Sequence, residues 1–180
     1  MAPIDHRRRR RVALLRQRLR MTHASTVHVV ALDLLRGAPF ASVFDLVLLD
    51  APCTGLGTLR RDVDIRWRRT PEDIAAAAGR QSRMLDEAAR LVAPGGRLVY
   101  ATCSSEPEEN VEAVEGLLER RSDFRRTPRA DLVDDGVPDA LLNAAGDMET
   151  RPDLHALEAF YAAALDRVAG DPADGPRQAL

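Results

Sequence analysis

The sequence contains no lysine: all 26 of its basic residues are arginine, set against 28 acidic residues for a formal net charge of −2. With the total so near neutral, the bias lies in the kind of cation. Arginine binds phosphate bidentately and stacks on bases, which suits a nucleic-acid ligand; a nucleotide-composition preference of the genome accounts equally for the bias and for the abundance of alanine. Long apolar runs are also missing. No stretch approaches the roughly 18 consecutive apolar residues of a membrane span, and the opening MAPIDHRRRRRVALL lacks the apolar core and cleavage site of a secretory signal. A cytoplasmic protein with no membrane partner is expected. Cysteine is scarce, with two residues, Cys53 and Cys103. In such a setting thiols are favoured over a structural disulfide, the plain alternative being a small buried apolar filler. No C-x-x-C occurs and the four histidines (His6, His23, His28, His155) lack ligand spacing, so no metal is expected.

At 180 residues and 45% hydrophobic content the chain is long enough for one domain with a core. Residues 6–21 carry Val12, Leu15 and Leu19 at helical spacing and read as an amphipathic helix. Its run Arg7 to Arg11 suits an RNA-contacting patch or a solvated face. VHVVAL (27–32) and FDLVLLD (44–50) read as strands buried on both faces, ending at Asp33 and Asp50. Thr70-Pro71 opens a helix that runs to about residue 93 and is stopped by Pro94-Gly95-Gly96. RLVYAT (97–102) is a third strand, and Ser105-Glu106-Pro107-Glu108 fits a capping box opening a helix to about residue 121. LEAFYAAALDRV (157–168) suits helix or strand, and residues 170–180 are expected to be a disordered tail. Strands alternating with long helices predict an α/β fold with a mostly parallel sheet. Ligands gather at the carboxyl ends of such strands, the rim on which Asp33, Asp50, Cys53 and Cys103 would fall.

A thiolate on that rim opens chemistry that direct displacement cannot reach. Cytosine C5 is a poor nucleophile until a thiolate adds at C6, after which C5 behaves like an enamine carbon. A carboxyl group would hold the N3 edge, and a second thiol would assist departure of the first. The residues here resemble a known family: DAPCTGLG followed by LRRDVDIRW, then APGGRLVYATCSSEPEENVEAVE, is similar to the RsmB/Sun-type RNA 5-methylcytosine methyltransferases from about residue 27 to 120. The resemblance implies an incomplete Rossmann-like class I methyltransferase sheet, mostly parallel with an antiparallel C-terminal strand, and the cofactor S-adenosylmethionine. It further implies that Cys103 attacks C6, that Cys53 assists release, and that Asp50 binds the base edge. Asp33 would lie near the cofactor adenine and Asp5 near its ribose, with Asp50 and Pro52 also bordering the cofactor. Arg60, Arg61, Asp64, Arg66 and Trp67 would form the RNA-facing loop, contacting phosphate and stacking on a splayed base. Without the resemblance, Asp50 reads as a turn cap, Pro52 as a rigid turn position and the loop arginines as solvated.

Two departures from the family pattern matter. Glu158-Ala159-Phe160 stands where the family carries Asp-Gly-Phe, and alanine adopts positive φ only at a cost. The family's first strand and its Pro-Gly-Gly-Lys loop have no counterpart here, so unpaired edges in a buried sheet would cost about 1–3 kcal/mol per group. Residues 1–169 are therefore expected to be the carboxyl-terminal portion of a catalytic domain, inactive without a preceding segment, acting on RNA and on ribosomal RNA first. Two alternatives are a non-catalytic RNA-binding remnant of the fold, which would bind RNA in a salt-dependent manner without cofactor, and a DNA cytosine methyltransferase, against which the second motif TCSSEPEEN speaks.

Overall fold

A computed structural model describes residues 6–169, in two separate units divided after Asp33. Asp5 and the tail at 170–180 lie outside the described residues. The first unit holds helix α1 (His6–Met21), as its spacing predicts. The segment 27–32 forms no strand, contrary to expectation. β-branched composition makes a segment fit for a sheet, but a strand exists only with a ladder partner, and 27–32 has none among the described residues.

The second unit is built on a five-stranded sheet. Strands β1 (Phe44–Asp50), β2 (Val92–Thr102), β3 (Phe124–Arg126), β4 (Met148–Thr150) and β5 (Phe160–Arg167) are ordered β1-β2-β5-β3, with β4 also on β5. β1 pairs parallel with β2, and β5 runs antiparallel to β2, β3 and β4. Among the described residues the single reversed strand is thus the last, β5, as the family resemblance implies.

After the short helix α2 (Ile65–Arg68), helix α3 (Pro71–Leu91) begins as its sequence dictates. Thr70 accepts the Asp73 N–H while the Asp73 carboxylate accepts the Thr70 N–H, and Pro71 fills the first turn. Its buried residues Ala77, Gln81, Leu85 and Ala88 recur every three or four positions. With Ala113, Val114 and Leu117 of helix α4 (Val111–Arg120) they cover one sheet face, where Leu49, Leu98, Tyr100, Ala163 and Leu165 point. The other face of β1 is open: Leu46 is 61% and Leu48 66% exposed, which corrects the reading of this strand as buried on both sides.

Two boundaries also differ. Helix α3 stops at Leu91, and Pro94-Gly95-Gly96 lies inside β2, where the ladder slips between Phe44 and Leu46 of β1. A Cβ on Gly96 would stand 2.9 Å from the Asp45 carbonyl oxygen and 3.0 Å from that of Phe44, so the strands approach this closely only without a side chain. The Ser105 capping box does not form. A 3-10 turn at Pro107–Glu109 precedes α4, whose N-cap is Asn110. The central strand carries much of the apolar core, and Leu98→Ala, at a fully buried site, should cost about 2–5 kcal/mol. Urea unfolding with an unchanged m-value checks this.

Candidate active site

Residues 51–58 and 102–104 leave the sheet side by side because β1 and β2 are parallel and in register to their ends. Asp50 pairs with Ala101, and the ladder continues one step further as the Ala51 N–H donates to the Ala101 carbonyl at 2.9 Å. Cys53 and Cys103 consequently meet, with their Sγ atoms 3.2 Å apart and both side chains partly exposed. Neither is a core filler. Burial pushes the Cys103 thiol up to about 12, aided by its hydrogen bond to Cys53, by that neighbour's charge and by Asp50. At neutral pH Cys103 is therefore held as a neutral thiol.

The loop after Cys53 is pinned from several directions. Arg69 Nε donates to the Thr54 carbonyl at 2.9 Å. The Gly57 N–H donates to the Cys103 carbonyl at 3.0 Å, and the Gly57 carbonyl accepts the Ala159 N–H at 3.0 Å. A Cβ at Gly57 would lie 2.1 Å from the Ala159 carbonyl oxygen and 2.9 Å from that of Cys103, so this turn admits glycine alone. Ala159 itself does not take positive φ; among the described non-glycine residues only His23 and Ala156 do. The departure at Glu158-Ala159-Phe160 is thus accommodated without strain at Ala159.

Of the residues the sequence points to, Asp50, Pro52, Cys53 and Cys103 share this lip, Asp50 and Pro52 being exposed. An exposed carboxylate acceptor and an exposed pyrrolidine ring at a strand's carboxyl end are compatible with one wall of a nucleoside site. Asp33 belongs to the first unit. In the loop, Arg60 Nη1 donates to the Ala156 carbonyl at 3.1 Å and Arg61 meets Glu158 at 3.1 Å, which ties the loop to the segment before β5. Asp64 pairs with Arg68 at 3.3 Å, and Arg66 lies 4.7 Å from the centroid of Trp67, an indole 77% exposed. Sequence reasoning missed Glu109 and Asn110, which are buried beside the two cysteine loops. Both fall inside the helix expected to open at Ser105, and nothing local to them in the acidic stretch marks either as buried.

Among the described residues no group of three or more His, Cys, Asp or Glu is placed to hold a metal, and no helix is long and apolar enough to cross a membrane. A sheet of this topology with its reactive groups at the β1 and β2 ends defines a class I methyltransferase fold. The solved structure of PH0851 superposes with a TM-score of 0.78 at 30% identity, over 92% of this chain and 36% of that one. More narrowly, the chain belongs to the 16S rRNA methyltransferase RsmB/F family, which it matches over residues 2–166. A Mycobacterium tuberculosis protein named as a methyltransferase is 43% identical over 125 residues, 69% of this chain and 27% of its own length. Ribosomal RNA small subunit methyltransferase B of Vibrio vulnificus is 51% identical over 90 residues, 50% of this chain and 20% of its own length. The chain thus spans 20% to 27% of these relatives.

The raised Cys103 thiol has a measurable consequence. Its alkylation by iodoacetamide, followed by peptide mass spectrometry, should rise about tenfold per pH unit from pH 8 to 11, because only the thiolate reacts. Cys53→Ala removes a neighbour that raises this thiol and should speed alkylation at pH 8. A parent-chain rate that levels off near pH 9 would contradict the account of a partly buried thiol raised further by its neighbour.

Proposed function

We propose that the chain carries the reactive half of an enzyme that methylates C5 of a cytosine in RNA, ribosomal RNA being the substrate class its family suggests. The observation that carries the reading is the 3.2 Å approach of two thiols at adjoining parallel strand ends. On this reading residues 1–169 are the carboxyl-terminal portion of a cytoplasmic catalytic domain that works with a preceding segment. S-adenosylmethionine supplies the electrophilic methyl group when bound, with Asp50 and Pro52 forming part of its site and Asp5 and Asp33 assigned to it by resemblance.

As the base arrives the Cys103 thiol passes its proton to Asp50 and its sulfur bonds to C6, while the C5–C6 electron pair shifts toward C5 and N3. Asp50, now carrying that proton, donates it to N3 and neutralises the charge that develops there. Once C5 is substituted, solvent water takes its proton, the C5–H pair restores the C5–C6 double bond, and the C6–sulfur bond breaks with its pair returning to Cys103. Cys53, within contact of that sulfur, assists the departure. The exposed Trp67 with Arg66 offers a stacking surface, and Arg60 and Arg61 offer cations for phosphate, the pattern by which splayed RNA bases are held.

The test uses the full reading frame that contains this chain and cytosine-containing ribosomal RNA. Cys103→Ala should lower methyl transfer by about three orders of magnitude or more, as loss of a covalent nucleophile does. Cys53→Ala should instead accumulate a protein–RNA adduct that survives denaturing electrophoresis. Unimpaired transfer by Cys103→Ala removes the assigned nucleophile.

A further inference from the structure

We infer that Glu109 is a positioning residue that sets the distance between the two thiols and thereby the rate of the reaction, without touching the base. The inference rests on the reading of Cys53 and Cys103 as the reacting pair. Glu109 is fully buried, a rare state for a carboxylate. Its hydrogen-bond partners are neutral donors, from both cysteine loops and from Gln81 of α3. Oε1 accepts the Thr54 N–H at 2.9 Å and Gln81 Nε2 at 3.0 Å. Oε2 accepts the hydroxyls of Thr54 and Ser104, each at 2.5 Å. A carboxylate offers about four lone-pair directions, and all are used.

Thr54 and Ser104 are the residues immediately after Cys53 and Cys103. One planar group therefore bridges the two loops a single peptide away from each sulfur. The bracket is closed on the other sides as well. Gln81 Nε2 also donates to the Pro52 carbonyl at 3.0 Å, fixing the residue before Cys53. Asn110 accepts the Thr102 hydroxyl and donates to the Ser104 carbonyl at 2.9 Å, holding Cys103 from both sides. Tyr100, on the central strand, donates its hydroxyl to the Glu109 carbonyl at 2.6 Å and seats the bracket on the sheet.

An apolar side chain would fill the same corner without the desolvation cost of a carboxylate. It would, however, leave the Thr54 N–H and one N–H of the Gln81 amide without an acceptor, and the two loops would lose their shared anchor. Displacing reacting groups by about 1 Å can cost about a hundredfold in rate, so a rigid tie at this point acts on turnover and leaves the binding surfaces intact.

The direct measure is the effective concentration of one thiol at the other, from equilibration of the chain with oxidised and reduced glutathione. Cys53 and Cys103 are oxidised to a disulfide while one oxidised glutathione takes up the two electrons and two protons as two glutathione thiols, with the ratio read by mass spectrometry. Glu109→Met should lower the effective concentration at least about tenfold, and Glu109→Gln, whose oxygen accepts the two N–H groups while the hydroxyls turn to accept from its amide, should stay within about threefold of the parent. If Glu109→Met loses the native circular dichroism, Thr54→Val and Ser104→Ala each remove one donor and should lower the value in the same direction. In the full reading frame, Glu109→Met, or these two variants in its place, should reduce kcat with the KM for RNA unchanged. An unaltered effective concentration in folded Glu109→Met, or in both single-donor variants, overturns the inference. Failure of the thiol reading is distinguishable: it would appear as active Cys103→Ala, with the glutathione result standing on its own.

Discussion

The parallel pairing of β1 with β2 is the constraint on which the site depends. Cys53 and Cys103 are fifty residues apart in the chain, and nothing local to either would bring them together. The ladder does so by matching Asp50 to Ala101. A slip of two residues would carry Cys53 about 7 Å along the strand axis, and a slip of one would turn its neighbours to the wrong face. The irregularity near Gly96 is part of the same device. By letting β2 hold more residues than β1 between two fixed pairings, it fixes where the regular ladder starts, and so where it ends.

The polar bracket refines what the ladder sets coarsely. Strand pairing places two loops within a few ångströms, and the hydrogen bonds of Glu109, Gln81 and Asn110 fix their last degrees of freedom. The division of labour is physical. A backbone ladder is specified by period and register, whereas side-chain hydrogen bonds act over a narrow range of distance and angle. The apolar packing of α3 and α4 on one face of the sheet then shields this bracket from water, in which its hydrogen bonds would be worth less.

Much of this was legible in the residues. Thr70, Pro71 and Asp73 carry their helix start in plain view, since a cap is a local interaction. The two cysteine motifs at apparent strand ends were enough to place Cys53 and Cys103 on one rim. What was not legible depended on partners distant in sequence. Residues 27–32 have strand composition, yet pairing is a property of two segments. Leu46 and Leu48 look like core residues, yet exposure is decided by what lies over them. Pro94-Gly95-Gly96 reads as a helix stop because its local chemistry is that of a stop; its place in a strand follows from the close approach of the Asp45 and Phe44 carbonyls. Glu109 was the costliest omission, because a charged residue in an acidic stretch looks solvated until its donors are seen.

The turn at Gly57 has a wider implication. It sits between the carbonyl of Cys103 on one side and that of Ala159 on the other, so the start of the closing strand and the reactive loop lean on the same atom-sized gap. An alanine at 159 fits beside it without positive φ, provided the gap itself stays empty. Change along the surface therefore leaves this joint untouched, whereas at Gly57 even the smallest side chain has nowhere to go.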